Sequence, residues 1–218
     1  MMADEGRHPP QSARSRWLWD FLSSHAGSAE RMNEPVRRLA IERLKLEDGE
    51  RVLDVGCGTG PTFETLRKAV GPRGRVVGVD FSSKMAQQAQ ERIREHDWEN
   101  VEVICADAAT ARLEPNTYDA AIATFALSAM ANVPAAVENI YMALRPGGRF
   151  FVCDLRLVPR GRTALVIRLL GFAYKLIAGW SGCDVLEQLQ ATFPSVDLVM
   201  PLRSWPPVTL ALARKAGA

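Results

Sequence analysis

One segment constrains this chain more than any other: Asp54-Val-Gly56-Cys-Gly58-Thr-Gly60, set between a short apolar run and a helical pattern. Three glycines at alternate positions let the backbone turn sharply and let a ligand come close to it. A purely structural turn satisfies the same spacing, so the meaning of the loop depends on what surrounds it. Upstream, Arg51–Val55 is β-rich; downstream, Thr62–Ala69 reads as a helix stopped by Gly71-Pro72.

The alternation then repeats. Arg75–Asp80 predicts a second strand, and Ser82-Ser83 caps a long helix running to about His96, because serine oxygens accept from first-turn N–H groups. Val101–Cys105, Tyr118–Ala123 and Arg149–Cys153 are further strands, with a helix over Pro134–Leu144 ended by Arg145-Pro-Gly-Gly148. Strand–helix–strand repetition at this spacing predicts a doubly wound α/β sheet, mostly parallel and Rossmann-like, with helices on both faces. An earlier helix starts near Pro35, and Trp17, Leu18, Phe21 and Leu22 suggest a shorter one before it. After the fifth strand come an apolar helical stretch (163–180) and a helix over Val185–Thr192. Two β-rich runs follow, Val196–Met200 and Val208–Ala213, which the Trp205-Pro-Pro207 turn can join as an antiparallel pair.

Composition narrows the function classes. The 218 residues hold 27 Lys+Arg against 25 Asp+Glu, and a net charge of +2 gives no argument for nucleic acid. A chain of this length and 47% hydrophobic content buries one substantial core. Residues 1–11 have no apolar leader-like run, so the expected compartment is the cytoplasm. The four cysteines form no Cys-x-x-Cys pair and no metal site is expected; Cys105 and Cys153, inside apolar runs, read as buried reduced thiols.

The acids around the loop point to its ligand. Asp80 lies twenty residues past Gly60, at the end of the second strand, where a carboxylate accepts from both ribose hydroxyls. Asp107, after the third strand, suits an adenine amino group, with the Ala108 N–H on the ring. The third glycine comes one residue earlier than in the dinucleotide pattern, and Asp54 before the loop would repel phosphates while suiting a cationic amino-acid tail. This chemistry favours S-adenosyl-L-methionine over NAD.

Val52–Gly60, Val77–Ser82, Ala106–Ala108, Tyr118-Asp119 and Leu144–Arg149 resemble, in order, the motifs of class I S-adenosylmethionine-dependent methyltransferases, small-molecule branch, near the ubiquinone/menaquinone-biosynthesis enzymes. The resemblance covers about 35–155 and implies a seven-stranded sheet whose last strand is antiparallel. It implies that Gly56, Cys57, Gly58 and Gly60 line the methionine moiety, with Asp54 near its amino group. Asp80 would bind the ribose, Phe81 and Met85 would lie beside the adenosine, Asp107 and Ala108 would hold the adenine edge, and Thr124 and Phe125 would face the sulfonium and the acceptor. Many relatives carry a histidine after the fourth strand, where this chain has Phe125-Ala-Leu-Ser-Ala-Met130. No base is assigned. His96 reads as a solvated helix end, while His25, Tyr118 and Ser128 offer only weak alternatives.

Three parts follow: a tail and lid helix (1–34), the donor-binding core (35–155), and an apolar lid helix with a closing helix and strand pair (156–218). In the resemblance the acceptor site is built from the first and third parts. These are apolar here, through Trp17, Trp19 and Phe21 in one and Leu165 to Trp180 in the other. Arg156, Arg160, Arg162, Arg168 and Lys175 flank or punctuate the second. An apolar small-molecule or lipid acceptor is expected. Three readings stay open: an enzyme with a soluble apolar substrate, a peripheral membrane enzyme touching lipid through 163–180, and a cofactor-binding module without turnover.

Overall fold

The computed structural model describes residues 33–157, 164–178, 182–199 and 208–217. The sequence features at Trp17–Leu22, His25, Arg160, Arg162, Trp180, Met200 and Trp205–Pro207 lie outside these residues.

In chain order the elements are α1 (Glu34–Leu44), β1 (Arg51–Val55), α2 (Phe63–Val70), β2 (Arg75–Asp80), α3 (Ser83–Glu95), β3 (Val101–Cys105), β4 (Tyr118–Thr124), a 3₁₀ turn (Leu127–Ala129), α4 (Val133–Ala143), β5 (Leu144–Leu155), α5 (Ala164–Ala178), α6 (Val185–Thr192), β6 (Ser195–Leu198) and β7 (Val208–Arg214). The seven strands lie in the order β3-β2-β1-β4-β5-β7-β6. The first five pair in parallel, while β7 is antiparallel to both of its neighbours. This is the Rossmann-like sheet expected from the sequence, antiparallel ending included.

Strand periodicity divides the core into two layers. Leu53, Val55, Val77, Val79, Phe150 and Val152 pack with α4 and α6 on one face. Val52, Val76, Ile122, Phe151 and Cys153 pack with α1, α2 and α3 on the other. The central strands β1, β2 and β4 thus bury both sides, which is why these runs are continuously apolar rather than alternating.

Local chemistry sets the helix boundaries. Pro35 occupies the first turn of α1. Ser82 Oγ accepts from Met85 N–H (3.2 Å) to start α3, and Asn132 Oδ1 accepts from Ala135 N–H (3.1 Å) to start α4. Where α4 hands over to β5, Leu144 pairs with Tyr118 and Arg149 with Ala120. Residues 145–148 therefore bulge outward, and this is the Arg-Pro-Gly-Gly punctuation seen in the sequence.

One sequence expectation fails. Cys105 is exposed, not buried. The run Val101–Cys105 is apolar, but topology puts β3 at the edge of the sheet, where its last residue has no neighbouring strand to cover it. Cys153, on central β5, is buried as expected, and burial pushes its thiol up to about 12. No helix among the described residues is long and apolar enough to cross a membrane.

Candidate functional site

In a doubly wound sheet the ligand crevice opens where the chain reverses direction along the strand order, outside the carboxyl ends of the strands. Here that point lies between β1 and β4. The glycine loop leaves β1 and the 125–130 segment leaves β4, and the two meet: a Cβ on Gly56 would fall 2.4 Å from Ala126 Cβ and 3.9 Å from Met130 Cε. Gly56 also has φ +66°, so both conformation and space require glycine there.

Gly58 is different. Its φ is +55°, yet a Cβ built on it meets nothing within 4 Å. The loop is therefore packed behind Gly56 and open in front of Gly58.

Asp80 fixes this opening. Its Oδ2 accepts from Gly58 N–H (2.9 Å) and its Oδ1 from Ser82 N–H (2.9 Å). One carboxylate ties the loop after β1 to the start of α3, and charge-assisted bonds of this kind are among the stronger ones.

Asp54 stands behind the loop at 2% exposure. Its Oδ2 is buried with no hydrogen-bond partner. Burial, then the nearby charge of Asp80, raises its carboxyl from 3.8 to about 7; the charge of Arg37 and a hydrogen bond from Thr62 act in the opposite sense. Arg37, on α1, is itself buried and bonds Glu34 at 3.0 Å. The sequence reading missed Arg37, because a basic residue on an amphipathic helix reads as solvated until the helix is seen packed on the sheet.

The remaining cofactor residues gather on the same rim. Met85 is buried and Phe81 half-buried at the start of α3. Asp107 Oδ1 accepts from Ala109 N–H (2.9 Å), closing a tight turn after β3. Asn139 Nδ2, on α4, donates to Ala108 O and Ala111 O, both at 2.9 Å, and holds that turn in place. Thr124 ends β4. Phe125 adopts φ +53°, its N–H donating to Cys153 O at 2.7 Å. The Cys57 thiol is buried beside Gly78 and donates to Gly58 O at 3.7 Å, within the loop itself.

Next to Phe125 lies a polar group that the sequence reading did not find. Asp154, fully buried at the end of β5, accepts from Ser128 N–H (3.0 Å), Ser128 O–H and Leu155 N–H (2.7 Å). Burial raises its carboxyl above the ordinary range. Ser128 is therefore committed to holding the 125–130 segment. Tyr118 starts β4, at the opposite end of the strand from the crevice, and His96 is exposed and stacked on Trp98 (ring centroids 4.9 Å apart). None of these three stands at the crevice as a base.

The donor set fits S-adenosylmethionine: an orphaned buried carboxylate oxygen for a cationic amino-acid tail, an open glycine cradle, and acids at the ends of β2 and β3.

Comparison with known proteins agrees. A methyltransferase-domain family matches residues 52–148. A demethylmenaquinone methyltransferase of Geobacillus is 32% identical over 113 residues, covering 52% of this chain and 48% of that protein. The one of Anoxybacillus flavithermus is 30% identical over 165 residues, covering 72% and 67%. The chain thus spans about half to two thirds of the length of these relatives. Among solved structures, a SAM-dependent methyltransferase from Aquifex aeolicus superposes with a TM-score of 0.60 at 20% identity, covering 82% of this chain and 88% of that one. The fold and site define a class I S-adenosylmethionine-dependent methyltransferase, and the chain belongs to that family. Within it, the chain resembles the enzymes of menaquinone biosynthesis.

Proposed function

We propose that this protein transfers a methyl group from S-adenosylmethionine to an apolar acceptor of the quinol type. The observation that carries this reading is the segment leaving β4. From Phe125 to Val137 there is no acid, base, histidine, tyrosine or cysteine, and its Ala126 and Met130 sit against the glycine loop. A wall of this kind desolvates an apolar ring and repels a charged one. The names of the two relatives, demethylmenaquinone methyltransferases, support the same acceptor class.

When bound, the donor supplies a methyl group already activated on a sulfonium. The chain's residues then bind, orient and exclude water. Asp54 meets the ammonium of the amino-acid tail, Asp80 the ribose, and Asp107 with Ala108 the adenine edge. Phe125, held at positive φ by its bond to Cys153 O, and Thr124 flank the space between donor and acceptor. Orientation and desolvation alone are worth about 7–11 kcal/mol in well-aligned reactions. An acceptor already acidic, such as a quinol, needs no dedicated protein base, which suits a segment that contains none.

Labelled S-adenosylmethionine and an acceptor panel of prenylated quinols, simple phenols, amines, thiols and phospholipids test this. Label in the organic-extractable quinol is the expected result. Label confined to a polar amine or thiol would overturn the reading. A second reading, with the acceptor reached from a lipid surface, is favoured by the exposed face of α5.

A further inference from the structure

We infer that α5 is a lipid-docking element whose outer face lies in the interface of an anionic membrane. Of the seven exposed large apolar side chains among the described residues, five are on this one helix: Leu165, Val166, Leu169, Leu170 and Phe172. Leu165 is 70%, Leu169 64% and Phe172 63% exposed. At 100° per residue the five fall within an arc of about 160°, wider than the apolar stripe of an ordinary surface helix. Buried Ile167 and Gly171 lie on the opposite side, facing the protein. The helix is thus apolar on both sides, and the core accounts for only one of them.

Charge selects the occupant of the other. From Leu155 to Cys183 the sequence contains no acid and five bases. Arg156 is neutralised by Asp184, to which it donates at 3.1 and 2.9 Å. Of the other four, Arg168 is exposed at the edge of the apolar arc, and Arg160, Arg162 and Lys175 lie close to it in the sequence. A broad apolar arc in a basic, acid-free segment complements anionic headgroups over acyl chains. A second copy of the chain would bring the same positive charge against itself. At 15 residues the helix measures about 22 Å, short of the roughly 30 Å of hydrocarbon in a bilayer, so it lies in the plane of the interface. The inference deepens the proposed function by naming where an apolar acceptor is met, and rests on that reading for this purpose alone.

Vesicle co-sedimentation of the full chain tests it, using phosphatidylcholine alone and a mixture with phosphatidylglycerol. The protein should pellet with the anionic vesicles, more weakly as salt rises, and little with the neutral ones. Leu169→Glu with Phe172→Glu should cut the bound fraction about tenfold or more while S-adenosylmethionine affinity and Tm stay unchanged. Arg168→Glu should weaken binding less, in a salt-dependent way. Equal pelleting of the double variant, or no pelleting of the wild type, overturns the inference. A dimer dissociated by Leu169→Glu, with no vesicle binding, assigns the face to a second copy and overturns it too. Vesicle binding without turnover of any quinol refutes the acceptor assignment instead. Turnover of a water-soluble quinol without vesicle binding refutes only the docking surface.

Discussion

The rim of β1 and β2 and the face of α5 are built on opposite principles. At the rim, one carboxylate, Asp80, takes two backbone N–H groups, and a second, Asp54, is buried with an oxygen unsatisfied. On α5, five large apolar side chains stand in the open with no polar group arranged among them. The rim specifies its ligand by direction, whereas the helix specifies only a phase.

The largest expected effect breaks the rim. Asp80→Ala removes the acceptor of Gly58 N–H and Ser82 N–H together. It also removes the proposed acceptor of the ribose hydroxyls, and hydrogen bonds to a charged group contribute about 1.5–3 kcal/mol each, so with both ribose bonds lost calorimetry should find S-adenosylmethionine affinity lowered by about 100-fold or more. Asp154→Ala comes next and separates folding from binding. It leaves the Ser128 and Leu155 N–H groups without their acceptor, which costs about 2–4 kcal/mol, and thermal unfolding should show a Tm lower by about 4–16 °C. Donor affinity should fall far less than in Asp80→Ala.

A third prediction uses pH. Burial raises the Asp54 carboxyl to about 7 in the folded chain, above its ordinary 3.8. Its contribution to stability is therefore complete at low pH and is lost as pH rises through about 7. Donor binding runs the other way, because the ammonium tail needs the carboxylate. Affinity should weaken by about tenfold per pH unit below 7 and level off above it. Calorimetry from pH 5.5 to 8.5 should show that slope in the wild type and a flat profile in Asp54→Asn.

The smallest effect sharpens the contrast. Leu169→Ala on the open face should change stability by less than about 0.5 kcal/mol, whereas Leu66→Ala in the core should cost about 2–5 kcal/mol.

The rim was legible in the sequence because its chemistry is local. Strand, glycine loop and the acid at the end of the next strand follow one another within thirty residues, and backbone geometry dictates their order. What escaped was non-local. Asp154 reads as the polar end of an apolar strand, and only the packing of β5 beside β4 brings it beneath Ser128. Asn139 pins Ala108 O across 31 residues of sequence. Cys105 is exposed for the same kind of reason, since burial of a strand's end depends on its place in the sheet. The apolar character of 163–180 was plain, but which side of the helix faces outward became visible only with Ile167 and Gly171 turned inward.

The central claim is that the glycine cradle holds S-adenosylmethionine, and Gly58 tests it most directly. A Cβ at this position meets nothing within 4 Å among the described residues, so Gly58→Val adds bulk on the open side of the loop, at a backbone cost of about 1–2 kcal/mol for a branched residue at positive φ. Calorimetric titration with S-adenosylmethionine should give clear saturable binding to the wild type and none to a Gly58→Val protein that still unfolds cooperatively. Undiminished affinity in that variant would contradict the account.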